Sequence, residues 1–343
     1  MSSATISARR LLPTMVLTAA LAIGSAVPVL AQGEGDDVAE PVSLTVGLGY
    51  IPSVQFAQFY LADEAGYYDE AGLDVTFQNK IDPELITLLA RGAVDIGMGD
   101  GTSVVAAASQ GIPVRYGATI YGRDPNVVFS LADAGIESAT ELAGASIGIP
   151  GRYGSSWVAL QALLASADLT PDDVTITPYP DFGQAVAVET GQVDAATGFA
   201  TNEPVQLSLR GQDVNVLRVS DVAPLPGPGL VVGVDTIEAK GEALRAFTAA
   251  TVRAMEEITA DPQVGLEAAL AHEPELGEDP ETQLAILQAT IDSWMGDYAS
   301  EHGLGAVDRS AWEAGLEIMR SLPDSAVSDE LTVEDLLTDA LGS

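Results

Sequence analysis

Residues 44–77, LTVGLGYIPSVQFAQFYLADEAGYYDEAGLDVTF, constrain the fold more than any other stretch of the chain. Leu44 to Leu48 is a short apolar run with glycine at 47 and 49, the length of one buried strand. Pro52 cannot extend a ladder and holds Ile51 extended, so Tyr50-Ile51-Pro52-Ser53 is a break. Ser53 supplies a capping oxygen for the helix that follows, in which Phe56, Phe59, Tyr60 and Leu61 recur at helical spacing between Val54 and Glu64. Gly66-Tyr67-Tyr68 stops this helix, and Leu73 to Phe77 starts a second strand. Strand, aromatic loop, helix and strand in that order place the loop at the carboxyl end of a strand, where open α/β sheets bind their ligands.

The alternation continues down the chain. Asp82-Pro83-Glu84 opens a helix to Ala90, and Ala93 to Met98 is a strand. Thr102 to Gln110 is a helix and Val114 to Ile120 a strand; after Tyr121-Gly122-Arg123-Asp124-Pro125 the strand Val127 to Leu131 resumes the rhythm. The pattern then restarts, with helices expected at 138–143, 156–167, 182–190 and 203–210 and strands at 145–149, 173–178, 193–198 and 214–219. Such alternation predicts parallel sheets flanked by helices. Gly92-Ala93-Val94-Asp95 and Gly191-Gln192-Val193-Asp194 each follow a helix and open a strand leading to a polar loop. The echo fits two similar lobes whose polar loops meet at one cleft. Residues 223–229 (APLPGPG) are the clearest linker signal, followed by a strand at 230–234 and helices at 241–259, 263–272, 280–296, 309–321 and 333–341. The expected organisation is a first lobe over 44–126, a second over 127–221, and a return to the first over 222–343. Two crossings make a hinge.

Residues 1–31 carry Arg9-Arg10, an apolar run from Leu11 to Leu30, and small residues in Val29-Leu30-Ala31 before Gln32, the pattern of a cleaved signal peptide. Pro13 and Pro28 argue against a retained span, which is the alternative. Residues 32–43, acidic and Gly-containing, read as a flexible lead-in. The chain has no cysteine, which excludes disulfides, thiolate chemistry and Cys-based zinc sites. Fifty acidic residues against fourteen basic ones give a net charge of −36, a surface that repels nucleic acid and anionic lipid. The acids are dispersed without EF-hand spacing, so they read as a salt-adapted or solubilising surface rather than a metal site. No His-Glu-x-x-His, Gly-x-Ser-x-Gly or phosphate-binding Gly-x-x-x-x-Gly-Lys-Ser/Thr motif is present, and His272 and His302, expected on the surface, lie far in sequence from the cleft loops. Neither an enzyme nor a cofactor is expected.

A strand ending in Gly-Tyr-Ile-Pro, a helix entered through VQFAQFYLA, and then GYYDEAGLDV resemble the ABC-importer solute-binding proteins related to thiamine-pyrimidine-precursor, sulfonate and riboflavin binders. The resemblance covers roughly residues 44–235. It implies a two-lobed α/β fold of the periplasmic-binding-protein type II, each lobe a mainly parallel sheet flanked by helices, with the ligand cleft between them. It further implies an exported monomer, periplasmic or otherwise extracytoplasmic, that closes on a small aromatic heterocycle and hands it to permease subunits. Riboflavin is the first expectation for that ligand, a thiamine pyrimidine precursor the second and a sulfonate the third. Fungal relatives that synthesise the pyrimidine carry a cysteine-rich iron motif, which this chain cannot form.

Several residues are candidates for the ligand. Tyr50 offers a ring for stacking and Gln55 an amide that reads a donor–acceptor edge, whereas Phe56, like Phe59, also reads as helix core. Asp100 can accept from a ring N–H or cap a helix, with Thr102 beside it; Tyr121 is a second stacking face or hinge packing. Loop 150–156 resembles the family's ligand-touching loop, which carries the role to Tyr153, Ser155 and Ser156, while Trp157 reads as lobe packing. Asn202-Glu203-Pro204 resembles the Asn-Glu-Pro of riboflavin and pyrimidine binders, whose glutamate lies near the ligand; Thr201 precedes it. The local alternative is a capped helix with Pro204 in its first turn. Arg123 and Arg152 are the only cations in these loops, and an anionic ligand needs both to face it.

Overall fold

The computed structural model describes residues 40–81, 84–323 and 325–342. The signal-peptide segment, most of the lead-in and the Asp82-Pro83 helix start lie outside them. The apolar run becomes β1 (Val42–Leu48). Ser53 Oγ then accepts the Gln55 N–H at 3.2 Å, closing one 3₁₀ turn before α1 (Ala57–Glu64). Gly66 takes the left-handed conformation (φ 73°) that ends α1, and a short turn of helix, α2 (Tyr67–Glu70), leads to β2 (Leu73–Asn79). From there α3 (Glu84–Ala90), β3 (Ile96–Asp100), α4 (Gly101–Ser109) and β4 (Val114–Thr119) complete the first run.

A second run repeats the plan: β5 (Asn126–Leu131), β6 (Ser146–Ile149), α5 (Gly154–Ser166), β7 (Thr175–Pro178), α6 (Gln184–Glu189), β8 (Ala195–Phe199), α7 (Glu203–Leu209) and β9 (Val214–Arg218). β10 (Pro228–Gly233) then returns to the first sheet. The strand orders are β2-β1-β3-β10-β4 and β7-β6-β8-β5-β9, the same arrangement twice. Each sheet is mainly parallel, with four strands running one way and a single strand running the other. β1 and β6 run parallel to both neighbours, whereas β10 and β5 run antiparallel to both of theirs. The antiparallel strand in each sheet is the one that arrives from the other sheet, so it enters without the crossover helix that a parallel neighbour needs. The chain passes between the sheets at 120–125 and 219–227.

The Gly-x-Val-Asp echo has a structural meaning. Gly92 and Gly191 both have positive φ (65° and 67°). The aspartate that follows each clips the central strand of its sheet, β3 or β8, to its parallel neighbour, β1 or β6. Asp95 Oδ2 accepts the Thr45 N–H at 2.8 Å, and Asp194 Oδ2 accepts the Ser146 N–H at 2.8 Å.

The C-terminal part is helical: α8 (Val234–Ala260), α9 (Pro262–His272), α10 (Pro280–Trp294), α11 (Asp297–His302) and α12 (Arg309–Ser321). α8 begins seven residues before its expected start and breaks at Lys240 (φ −132°), whose Nζ donates to the Ser43 carbonyl and lies 2.8 Å from Asp95. The helix expected at 333–341 is one 3₁₀ turn, Val333–Asp335, closed by a Thr332–Asp335 capping box. Beyond it the chain pairs with the edge of β4: the Tyr116 N–H donates to Leu336 O and the Thr338 N–H to Tyr116 O. An exposed strand edge offers unpaired donors and acceptors, and covering it outweighs extending a short helix. The helix expected at 138–143 is likewise a single capped turn, Ala139–Leu142. His272 is half-buried and stacks on Tyr60 with ring centroids 4.3 Å apart; His302, exposed at the end of α11, stacks on Tyr298. The aromatic core beneath α1 and α8 is led by the stacked pair Tyr68 and Phe247 (4.8 Å, 6°). A second core cluster is continuous from α4 and α12 to α5, joining elements of both sheets.

Candidate functional site

Both sheets end at one cavity of about 120 Å³. The first sheet contributes Tyr50 and Gln55 after β1, Met98 and Asp100 at the end of β3, and Tyr121 from the first crossing. The second contributes loop 150–156, the turn before α6 with Phe182 and Gln184, and Phe199, Asn202 and Glu203 at the end of β8. Every wall segment follows a strand end or occupies a crossing, which is why short polar loops converge here rather than on a helix face.

Glu203 is one of two buried carboxyls among the described wall residues. It is 7% exposed, and its Oε2 accepts the Phe199 N–H at 2.9 Å. Burial raises its carboxyl to about 7, against the opposing pull of that hydrogen bond. A Cβ on Gly198 would sit 2.5 Å from Oε2, so glycine is needed for the carboxylate to fold back onto the strand end. Tyr50 lies beside Asn202 and Glu203, and burial first, then the Glu203 charge, pushes its phenol up. Asn202 Oδ1 is held by Gln206 Nε2 at 2.8 Å, fixing its orientation one residue before α7.

The lobes touch across the cavity. Gln55 Nε2 donates to Thr201 Oγ1 at 2.9 Å and reaches the Tyr121 hydroxyl at 3.4 Å. Asp100 is bonded to Ser155, and burial raises its carboxyl. Tyr50 meets Phe182 edge-on, with centroids 4.8 Å apart and planes at 77°.

Of the candidate residues, the structure brings Tyr50, Gln55, Phe56, Asp100, Tyr121, Tyr153, Ser155, Ser156, Asn202 and Glu203 to the cavity wall. Phe56 serves the core as well, 6.4 Å from Phe59. Tyr153 stands at the rim, 40% exposed, with its ring laid over Gly151. Thr102 and Thr201 are not in the wall. Thr102 is buried one residue inside α4, where the helical turn carries it away from Asp100, and Thr201 is covered by its bond to Gln55. Neither arginine faces the cavity. The Arg152 guanidinium sits over the Trp157 ring at 5.1 Å, and Arg123 lines a separate hollow behind the crossings. Among the described residues no lysine, arginine or histidine lines the cavity, while two carboxyls do.

Phe182 and Gln184 are wall residues that the sequence did not single out. The available signal was Pro180-Asp181-Phe182-Gly183 just past the end of a strand, a turn leading into a helix.

Residues 53–264 match the family model described as NMT1/THI5 like. The riboflavin-binding protein RibY of Chloroflexus aurantiacus is 34% identical over 283 residues, 81% of this chain and 80% of that protein. The formylaminopyrimidine-binding protein of Halalkalibacterium halodurans is 27% identical, covering 81% and 84%. Among solved structures, the alkanesulfonate-binding protein SsuA from Xanthomonas axonopodis pv. citri, bound to MOPS, superposes with a TM-score of 0.66 at 17% identity, covering 84% of this chain and 97% of that one. The fold is therefore that of the periplasmic binding proteins, and the chain belongs to the NMT1/THI5-like family.

Proposed function

We propose that the protein is an extracytoplasmic solute-binding protein that closes on an uncharged aromatic heterocycle, riboflavin or a close flavin, and delivers it to an ABC permease. One observation carries the reading: a cavity between two hinged lobes, walled by Tyr50, Phe56, Tyr121 and Phe182, with buried carboxyls and no cation among the described wall residues. Aromatic rings suit a flat ring system, and Glu203 suits a ring N–H or amino group. A sulfonate or phosphate ligand needs arginine or lysine donors that this wall does not present. The 34% identity to a riboflavin-binding protein supports the flavin. Neither a nucleophile–base pair nor a cofactor enters this reading, and the carrier performs no chemistry. Among the described residues no helix is long and apolar enough to cross a membrane.

The cavity's size favours a second reading. At about 120 Å³ it falls below the roughly 300–1,000 Å³ of ordinary small-molecule pockets, which suits an aminopyrimidine better than a flavin unless the lobes part. Titration of riboflavin fluorescence with the protein from residue 33 onward separates the two. Stoichiometric quenching supports the flavin; absence of quenching, with thermal stabilisation by an aminopyrimidine, supports the smaller ligand. Recovery of chemically altered riboflavin after incubation would overturn the carrier reading altogether.

A further inference from the structure

The turn into α6 brings two groups to the cavity that the reading above leaves without a task. Phe182 has φ +59°, a left-handed backbone that L side chains rarely adopt; among the described residues only Asp168 is the other non-glycine with positive φ. That backbone is held by a Phe182 N–H bond to Tyr179 O at 3.1 Å, and it places the aromatic ring in the cavity wall against Tyr50 of the other lobe. Two residues on, Gln184 is 1% exposed, and its Oε1 has no hydrogen-bond partner among the described residues. Of the buried side-chain oxygens and nitrogens in that condition, it is the one that belongs to a wall residue. A buried amide oxygen without a partner is unfavourable, and a group that supplies the missing donor removes the penalty.

We propose that Phe182 and Gln184 are the second lobe's specificity pair: the Gln184 amide pairs with an amide-like –CO–NH– edge of the bound ring, and the Phe182 ring covers the ring face opposite Tyr50. The inference rests on the heterocycle reading above. Tyr50 and Phe182 now meet at 4.8 Å between centroids, and a flat ring stacked between them moves them to about 7 Å, two van der Waals separations. The left-handed backbone keeps Phe182 at the cavity while α6 starts immediately behind it. Gln184, in the first turn of that helix, reads the ring's edge from the same short segment.

The test compares wild type with Gln184→Leu and Phe182→Ala, each titrated with riboflavin and with riboflavin methylated on the ring N–H between its two carbonyls. Wild type is expected to lose more than about tenfold in affinity on methylation, and Gln184→Leu to bind riboflavin more than about tenfold more weakly but to lose little further on methylation. Phe182→Ala is expected to weaken both ligands alike. Thermal unfolding without ligand provides the control for a merely structural role: Gln184→Leu should unfold at the wild-type temperature or above, since it removes an unpartnered buried oxygen. Wild-type affinity in Gln184→Leu, or an equal methylation penalty in both proteins, overturns the inference while leaving the flavin reading intact. If wild type does not bind riboflavin, the flavin reading fails. The same variants are then measured by thermal shift with 4-amino-5-hydroxymethyl-2-methylpyrimidine, where a wild-type shift abolished in Gln184→Leu sustains the pair and an unchanged or absent shift overturns it.

Discussion

Glu203→Gln offers the most quantitative probe of the site. Burial raises the Glu203 carboxyl from an ordinary 4.5 to about 7, so the folded chain holds this proton more tightly than the unfolded chain does. The sign follows. Below the unfolded value both states are protonated and stability is unaffected; between 4.5 and about 7 the unfolded chain has lost its proton and folding must hold one. Stability therefore falls as pH rises through that window, and levels off above it. At about 1.36 kcal/mol per pH unit the loss is about 3 kcal/mol between pH 4 and pH 8. The glutamine side chain introduced by this substitution is close in shape, still accepts the Phe199 N–H and does not titrate, so the variant should be spared that loss. Asp124, raised to about 7 by burial against hydrogen bonds from Asn126, falls through a similar window in both proteins and cancels in the comparison. Urea unfolding at pH 4, 5, 6, 7 and 8 reads the difference. Parting of the lobes would solvate Glu203 and cap the loss at the cost of opening. In that case wild type should gain more in radius of gyration by small-angle scattering between pH 5 and pH 8 than the variant, which keeps only the buried Asp100. Parallel stability profiles with no change in radius would refute the burial of Glu203 between closed lobes.

Three further outcomes follow from the geometry. Riboflavin 5′-phosphate should bind at least about tenfold more weakly than riboflavin, because a phosphate taken into this wall finds carboxyls and, among the described residues, no cation; equal affinities by calorimetry would mean that the phosphate does not enter this wall. Gly198→Ala puts a Cβ 2.5 Å from Glu203 Oε2 and 2.9 Å from Phe129, and should destabilise by about 1–3 kcal/mol in chemical denaturation and weaken ligand binding together. Asp194→Ala removes the acceptor for the Ser146 N–H and should cost about 1–3 kcal/mol, and Asp95→Ala should cost at least as much because it also removes the carboxylate beside Lys240, leaving that ammonium only the Ser43 carbonyl. A neutral result for either in urea unfolding would mean that the clip between the central strand and its parallel neighbour is not structural.

What the sequence disclosed depends on whether the signal was local. The β1–α1–β2 unit was legible because Pro52, Ser53 and Gly66 act on their immediate neighbours: a break, a cap and a left-handed stop. The Gly-x-Val-Asp echo was visible for the same reason, with a glycine that must take positive φ and an aspartate that bonds one strand away. Asn202-Glu203-Pro204 was found by resemblance, and its alternative as a helix start holds at the same time, since α7 begins at Glu203 with proline in its first turn. Thr102 was chosen for its nearness to Asp100 in sequence, but within a helix two positions are far apart in direction. Phe182 escaped because a left-handed phenylalanine has no composition signature; the surrounding fold imposes it. Gln184 escaped because a glutamine in the first turn of a helix is ordinarily solvated, and only the folded surroundings bury it. The C-terminal segment at 333–341 was misread because its helical pattern competes with an edge strand that lies more than two hundred residues away in sequence.

The groups that line the cavity are also the groups that hold the lobes together. Gln55 is bonded to Thr201, Asp100 to Ser155, and Tyr50 rests on Phe182, each pair joining the first lobe to the second. A ligand that engages Gln55, Asp100 or Tyr50 does so in place of these contacts, so its affinity is the difference between two sets of similar bonds rather than the sum of one. That difference is made favourable by what closure costs the protein alone. In the carrier proposed above, closing buries Glu203 and Asp100, whose carboxyls are driven upward by loss of water, and at neutral pH that penalty resists closure. A ring that donates to Glu203 removes part of that penalty, which a cross-lobe contact such as Gln55 to Thr201 does not. Differential free energy of this kind is the only means by which a ligand can shift lobes from open to closed. In the proposed carrier, the buried acids, costly to the fold taken alone, would make closure depend on the cargo.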